Sequence, residues 1–399
     1  MSPTLILGGA RTPIGKFAGG LASFSATDLG GHAIGAALDA TGVPAEQVDY
    51  VFMGQVLLAG EGQAPARAAA AKAGIPLSAP AATVNKVCLS GLNAVYLAGR
   101  MIAAGDADIV VAGGMESMSG APYLVPGARA GLRAGDATLV DSMMHDGLTC
   151  AIEGRSMGLS TERHLAEIGG ISRESQDAFA ATSHERAARA TKNGLLEREI
   201  APVEVPQRRG EPITVTTDEG IRPDASAASL ARLRPAFDPA GTVTPGNASQ
   251  ISDGASALVL ASPTAAERLG ATPVGELIAY GQVAGPDTSL LTQPAAAIEA
   301  ALERTDAALR DIDVFEINEA FAAVVLASMA ALGVPHDVVN PNGGAVALGH
   351  PIGASGNRVL LTLLGELRRR GGGLGAASLC GGGGQGDAAL VRVPEVPSR

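Results

Sequence analysis

The run Ile34-Gly35-Ala36-Ala37-Leu38 recurs near the other end of the chain as Ile298-Glu299-Ala300-Ala301-Leu302. The match continues at a constant offset, without a gap, through residues 41–49 and 305–313. In both copies the pattern predicts an alanine- and leucine-rich helix, then an aspartate and a short apolar strand. Further on, the dipeptide Ser90-Gly91 matches Ser355-Gly356 at an offset that is longer by a single position. We infer that the chain contains a duplicated unit.

The copies cover about 1–120 and 265–395, and each alternates strands with helices. Such alternation predicts an α/β fold with two duplicated halves, whose mixed, largely parallel sheets stack on each other. We expect an N-terminal half at 1–119, an inserted loop domain at 120–249, and a C-terminal half at 250–399 that starts with a strand completing the N-terminal half. The insertion is rich in Gly, Pro and charge, with one amphipathic helix from Ser172 to Asn193 that Gly194 would stop.

The composition excludes several classes of protein. With 29 basic and 40 acidic residues the net charge is −11, and no basic stripe with interleaved aromatics predicts nucleic-acid binding. Three cysteines cannot build a disulfide framework, and their spacing does not predict a metal site. No signal peptide is evident, and the apolar stretch 320–334 is shorter than a bilayer span. We expect a cytoplasmic protein without metal or membrane contact.

Three separate segments carry residues suited to catalysis. Cys88 lies just before a predicted helix start, where the helix dipole is expected to lower the pKa of its thiol and favour a nucleophilic thiolate. The repeat places Cys88 opposite Ile352, beside His350, so we expect the two segments at equivalent strand-to-helix turns of the two halves. His350 could take the thiol proton. Cys380 heads the glycine run 381–384, where bare backbone lets a substrate approach closely. A second thiol there could move a different proton.

Taken together, these segments resemble the thiolase family, in its tetrameric bacterial type. These enzymes make or cleave 3-ketoacyl-CoA thioesters. The likeness covers essentially the whole chain, and it rests on six segments in the family's order: 9–15, 85–91, 113–119, 318–321, 349–351 and the glycine run after Cys380.

The resemblance implies a role for each matched residue. Cys88 would take the acyl group and His350 would be the base that activates it. Cys380 would be the acid/base that removes a proton from the α-carbon of the second acyl-CoA. Asn318 would hold a water that forms an oxyanion hole with His350, and the amides of Cys88 and Gly382 would form the other.

The resemblance also implies coenzyme A thioesters as substrates, with no permanently bound cofactor. Their contacts would be on or next to the insertion, at Leu148, Met157, Arg222, Ser229 and Ser249, with the Arg222 guanidinium suited to phosphate. Many relatives have a histidine where this chain has Ser156. The loop 60–67 resembles the one preceding assembly contacts in tetrameric relatives, so we expect a homotetramer, a dimer of dimers.

The leading functional prediction is an acetyl-CoA C-acyltransferase. It would catalyse reversible Claisen condensation and thiolysis of acetoacetyl-CoA by a ping-pong mechanism. Phe237, Leu290 and Phe321 resemble the acyl-pocket walls of short-chain members. The alternatives are a broader-chain 3-ketoacyl-CoA thiolase of fatty-acid β-oxidation, a ketosynthase, which the thiol of Cys380 disfavours, and a non-catalytic acyl-CoA or lipid carrier. The cellular direction stays open.

Overall fold

The computed structural model describes residues 3–395. Its α-helices are α1 Ala26–Thr41, α2 Pro65–Lys72, α3 Ser90–Ala104, α4 Met157–Ile168, α5 Arg173–Lys192, α6 Ala227–Leu230, α7 Pro263–Leu269, α8 Gln293–Leu302, α9 Ala322–Leu332, α10 Ala345–Leu348 and α11 Ser355–Arg370. Its strands are β1 Thr4–Arg11, β2 Gly15–Lys16, β3 Tyr50–Gly54, β4 Ala81–Val84, β5 Ile109–Ser117, β6 Tyr123–Leu124, β7 Val140–Asp141, β8 Thr149–Cys150, β9 Arg155–Ser156, β10 Val203–Val205, β11 Ile213–Val215, β12 Ser252–Ala261, β13 Gly275–Ala284, β14 Val314–Ile317, β15 Gly373–Gly381 and β16 Gln385–Val393.

The long strands form two sets joined at one edge. The hydrogen-bonded order is β14-β15-β16-β13-β1-β12-β5-β3-β4, with β2 paired to β12. β3 pairs in parallel with β4 and β5, and β14 pairs in parallel with β15, while the remaining neighbours are antiparallel. The two sets meet where Thr4–Ile6 of β1 pairs with Gly275–Leu277 of β13. β12, which follows the insertion in the chain, lies between β1 and β5.

The two sets of strands stack with helices between and outside them. α3 and α11 share one apolar cluster with strands of both sets, so they form the middle layer. α1 and α2 cover the outer face of the N-terminal set, and α8 and α9 cover the outer face of the C-terminal set. This α/β/α/β/α arrangement confirms the predicted α/β class with stacked mixed sheets, although antiparallel neighbours outnumber the parallel ones among the described strands.

The duplication is visible in the bounds of equivalent strands. β5 begins at Ile109 and ends at Ser117, and β15 begins at Gly373 and ends at Gly381, so their bounds differ by the same constant offset as the repeated sequence. Glu116 and Cys380 therefore occupy equivalent places, one residue before the strand end. One equivalence fails. We predicted equivalent strand-to-helix turns at Cys88 and His350, but the counterpart of β4 is the short helix α10. Its residues are buried, and it packs on α5 of the insertion rather than extending the sheet.

The starts of α3 and α11 touch through glycines. A Cβ on Gly91 would lie 2.8 Å from the carbonyl oxygen of Gly353 and 2.9 Å from the amide nitrogen of Asn357. A Cβ on Gly356 would lie 2.9 Å from the Cβ of Leu92. The contact is reciprocal, because the residue after each glycine meets the other glycine. It therefore places the turn before α3 beside the turn before α11.

The inserted segment carries the helix that was predicted between Ser172 and Asn193. α5 spans Arg173–Lys192, and the Ser172 hydroxyl caps it by accepting a hydrogen bond of 3.2 Å from the amide of Ser175. The insertion is tied to β1, because the buried Arg11 donates to Asp218 at 2.6 Å and to Glu199 at 2.8 Å. The expected boundaries at 119/120 and 249/250 stay predictions.

One stretch of the described residues, Val87–Ala104, is long and apolar enough to span a membrane by length and composition. It contains α3, and half of it is buried in the middle layer between the two sets of strands. The stretch 320–334 forms the shorter helix α9.

We expect Gly356→Ala to destabilise the fold, because the added methyl group would press on backbone that two helices hold in place. Overpacking of this kind costs about 1–3 kcal/mol. Gly365→Ala is the matched control in the same helix, since a Cβ there meets nothing within 4 Å. It should be neutral or stabilise by up to about 1 kcal/mol. Urea unfolding of both variants tests this, and equal midpoints would contradict the importance of the contact.

Candidate active site

The turn before α3 holds Cys88 in a strained backbone. Val87 has φ of +52°, a left-handed conformation that is rare for a β-branched residue. Three hydrogen bonds hold it there. The Val87 amide donates to Asn85 Oδ1 at 3.1 Å, and its carbonyl accepts from the Ser90 hydroxyl at 2.6 Å. The same hydroxyl oxygen accepts from the amide of Lys86 at 2.8 Å. Cys88 is therefore presented by a braced turn.

The thiol of Cys88 does not have the lowered pKa that its helix position led us to expect. Burial, and to a smaller extent the negative charge of Glu116, raises the pKa of Cys88 to about 12. The amides of Cys88 and Gly382 lower the pKa, but they do not outweigh desolvation among side chains such as Val56 and Ile352. The Gly382 amide thus lies beside the Cys88 sulfur, where the resemblance implies an oxyanion hole.

His350 is oriented by Ser355, a residue that the sequence argument missed. The Ser355 hydroxyl donates to the carbonyl of Pro351 at 2.9 Å, so its oxygen accepts from Nδ1 of His350 at 2.6 Å. Nε2 is then the unprotonated nitrogen; it is buried and has no hydrogen-bond partner among residues 3–395. Burial and the charge of Arg358 lower the pKa of His350 to about 3. A neutral imidazole with a free lone pair can accept a proton.

Cys380 and Asn318 end neighbouring strands of the C-terminal half. Cys380 is fully buried among apolar side chains that include Phe321. Burial and the nearby Cys88 raise the pKa of the Cys380 thiol above its ordinary value. Asn318 follows β14, and its amide donates to the Ser378 carbonyl at 2.9 Å. Neither end of its buried side-chain amide has a partner in the described part of the chain, which is unusual for such a group.

The glycine run shapes the turn between β15 and β16. Gly383 and Gly384 have φ of +80° and +71°, which side-chain-bearing residues rarely adopt. Gly381 packs on Leu89, and a Cβ on Gly382 would lie 3.3 Å from a methyl carbon of Val87. The hairpin of Cys380 therefore sits directly against the turn of Cys88, one from each half.

The three side chains predicted to line an acyl pocket are brought together. Leu290 and Phe321 belong to the same apolar cluster as Cys380, and Met157 packs against that cluster. Phe237 meets Phe321 edge-on, with ring centroids 6.3 Å apart.

The predicted contacts for coenzyme A fall into two groups. Leu148, Met157 and Ser249 lie near the cysteines: the Met157 amide donates to the Leu148 carbonyl at 2.8 Å, and the Ser249 amide donates to the carbonyl of Ala320 at 3.0 Å. The other two, Arg222 and Ser229, are exposed on the insertion.

Hydrogen bonds position both exposed residues. The Arg222 amide donates to Nδ1 of the largely buried His184 at 3.1 Å. The Ser229 hydroxyl is engaged in a reciprocal cap with Ser226, which occupies it locally. Ser156, where many relatives have histidine, caps α4 by accepting from the amide of Leu159 at 3.3 Å.

Two buried glutamates beside the site have structural partners. Glu319 accepts from the Ser183 hydroxyl, the Asn340 side chain and the Val346 amide, so its role is to brace these segments. Glu116 accepts from three backbone amides, including that of Gly353 at 2.9 Å, and burial raises its pKa to about 7. Among residues 3–395, no group of three His, Cys, Asp or Glu is placed to hold a metal ion.

Comparison with known proteins identifies the family of this chain. The thiolase N-terminal domain matches residues 4–264, and the thiolase C-terminal domain matches residues 271–393. A probable acetyl-CoA acetyltransferase of Mycolicibacterium smegmatis is 53% identical over 97% of this chain and 100% of the relative. An acetyl-CoA acetyltransferase of Chromobacterium violaceum is 51% identical over 98% of this chain and 99% of its own. A probable acetyl-CoA acyltransferase of Staphylococcus aureus is 50% identical over the same shares. The chain therefore belongs to the thiolase family of acyltransferases.

Proposed function

We propose that this acyltransferase condenses two acetyl-CoA molecules to acetoacetyl-CoA and cleaves acetoacetyl-CoA with CoA, by a ping-pong reaction through an acyl-cysteine. The names of the similar relatives support the acetyl-CoA chemistry. The observation that carries the proposal is the meeting of two thiols, Cys88 and Cys380, one from each half. Beside them, His350 Nε2 and the Asn318 amide are buried without partners among residues 3–395.

In the first half-reaction Cys88 attacks the thioester carbonyl of acetyl-CoA. Its resting state is a neutral thiol and His350 is a neutral imidazole, so Nε2 takes the thiol proton as the bond to carbon forms. The imidazolium then protonates the departing CoA sulfur. The tetrahedral oxyanion is stabilised by the amides of Cys88 and Gly382, and each fixed donor of this kind contributes about 3–4 kcal/mol.

In the second half-reaction Cys380 removes the α-proton of another acetyl-CoA. Its raised pKa makes it a thiol at rest, so it must first lose a proton, and the now neutral His350 is the base available for it. The enolate oxygen is stabilised by a water that Asn318 and His350 hold. The enolate carbon attacks the acyl group on Cys88, and the imidazolium returns a proton to the Cys88 sulfur as it leaves.

The apolar cluster around Cys380 supports a short acyl group. Leu290, Phe321 and Met157 pack together next to the thiol, and Phe237 closes over Phe321. We expect these bulky walls, beside the Cys380 thiol that meets Cys88, to limit the acyl group to a few carbons. Measuring thiolysis across C4 to C16 3-ketoacyl-CoA substrates distinguishes this preference from a broad-chain thiolase.

We further propose that the protein is a homotetramer in the cytoplasm. β4 lies at the end of the strand order among the described residues. β6 and the segment that joins it to β7 expose Tyr123, Leu132 and Leu139, which are large side chains suited to a subunit contact. All three cysteines are free thiols, which fits a reducing compartment.

Replacing Cys88 and replacing Cys380 should each impair a different step of the reaction. Cys380→Ser should still gain an acetyl group from acetyl-CoA, because acylation uses Cys88 and His350. Condensation should fall by about 10²–10⁴-fold, since a hydroxyl is a poor base for a carbon acid. Cys88→Ala should lose covalent acetylation and keep α-proton exchange with D₂O. Intact-protein mass spectrometry and deuterium wash-in measure both. Normal acetylation of Cys88→Ala would overturn the assignment.

The pH dependence of Cys88 alkylation by iodoacetamide should reflect the raised pKa of this thiol. Because thiolate is the reactive form, its fraction rises about tenfold per pH unit below the pKa, so the labelling rate should climb from pH 7 to 10 without a plateau. Acetyl-CoA should protect Cys88 from alkylation. The control is Cys150→Ser, which removes a buried thiol outside the site and should leave the profile unchanged. A plateau near neutral pH would mean that the helix dipole does lower this pKa.

Arg222→Ala should raise the KM for CoA substrates with a smaller change in kcat. A phosphate contact far from the reacting carbon binds the ground and transition states alike. Arg209→Ala removes another exposed guanidinium of the insertion and should leave the KM unchanged. Steady-state kinetics of thiolysis measure the KM and kcat of both variants. A loss of kcat at constant KM in Arg222→Ala would argue against phosphate binding.

A further inference from the structure

The site needs two separate alignments across the two halves. Acylation aligns Cys88 with His350, and the carbon–carbon bond step aligns Cys88 with Cys380. The first is set by backbone, because the glycine contact of α3 with α11 fixes one turn against the other. The second joins the turn before α3 to the β15–β16 hairpin, whose glycine backbone meets the side chains of Val87, Cys88 and Leu89.

One ion pair crosses this second junction. Nζ of Lys86 lies 2.7 Å and 3.0 Å from the two carboxylate oxygens of Asp387. Lys86 is two residues before Cys88. Asp387 is in β16 and pairs with Leu379 of β15, the residue before Cys380. The contact therefore joins a residue two positions before Cys88 to the strand paired with that of Cys380, although its partners are 301 positions apart in the chain.

The ion pair is built to hold one geometry. The Asp387 side chain is fully buried, and the lysine side chain is 20% exposed. The Tyr280 hydroxyl donates to the second carboxylate oxygen at 2.9 Å, so both oxygens are fixed. Burial raises the pKa of Asp387, and the charge of Lys86 and the Tyr280 hydroxyl oppose this shift. A buried charge with bonds to both oxygens has little freedom to move.

We propose that Lys86 and Asp387 are positioning residues that set the separation of Cys88 and Cys380 for the carbon–carbon bond step. The inference rests on the function proposed above. His350 serves both half-reactions, as the base for Cys88 in acylation and for Cys380 before α-proton removal, and Asn318 follows the strand next to that of Cys380. Only the joint step requires both sulfurs at a fixed distance, and a displacement of about 1 Å can cost 10²-fold in such a step.

The test measures three rates in Lys86→Met. These are acetylation of Cys88 by mass spectrometry, deuterium wash-in to the α-carbon of acetyl-CoA, and condensation. We expect acetylation to fall somewhat, because the Gly382 amide that serves it belongs to the same hairpin, but by less than about 10-fold. Deuterium wash-in should persist. Condensation should fall by about 10²-fold or more. Lys72→Met is the matched control, since it removes a lysine that lies 2.6 Å from Asp28, away from both cysteines. All three of its rates should be unchanged.

A double variant separates positioning from charge balance. Lys86→Met/Asp387→Asn leaves no unpaired buried charge, and it decides the case if the single variant does not fold. Selective loss of condensation in the double variant supports the proposal. Condensation restored to the wild-type rate, or a loss equal to that of acetylation, overturns it. If the wild-type enzyme is not acetylated at Cys88, the proposed function is wrong instead. This outcome is measured on the wild-type enzyme and not on the variants, so the two failures can be distinguished.

Discussion

The close approach of α3 and α11 at Gly91 and Gly356 is the constraint on which the other features depend. Both helices lie between the two sets of strands, so their contact fixes one half of the chain against the other within the middle layer. Their first residues carry the turns of Cys88 and His350, so the same contact sets the distance between the thiol and its base. A side chain at either glycine would press on backbone, which cannot rotate away.

Burial decides the electrostatics of the site. The Cys88 thiol has a raised pKa and the His350 imidazole a lowered one, so both are neutral near pH 7. Charge is created during the reaction rather than stored beforehand, which makes the surrounding dipoles important. Those dipoles are already fixed: Ser355 orients the imidazole, and the hairpin presents the Gly382 amide.

Much of the fold could be predicted from the sequence, because the constant offset of the repeat and the caps of α5 are patterns visible in the chain itself. The resemblance supplied the site residues, and the family was confirmed. The raised pKa of Cys88 was missed because a helix dipole can be predicted from sequence while desolvation depends on packing from other segments. Lys86 and Asp387 were missed for a similar reason: each looks like an ordinary surface charge until the halves are brought together. The helix α10 replaced an expected strand because the repeat has diverged there.

The equivalent strand ends of β5 and β15 carry different residues, Glu116 in one copy and Cys380 in the other. Glu116 holds backbone amides, including the one at Gly353 in the turn after His350, while Cys380 faces the other thiol. Two identical subunits related by symmetry could not divide the work in this way, since any substitution would appear at both places. Because both copies lie in one chain, each could change independently of the other. One strand end now binds backbone amides, and the other carries a thiol that takes part in the reaction.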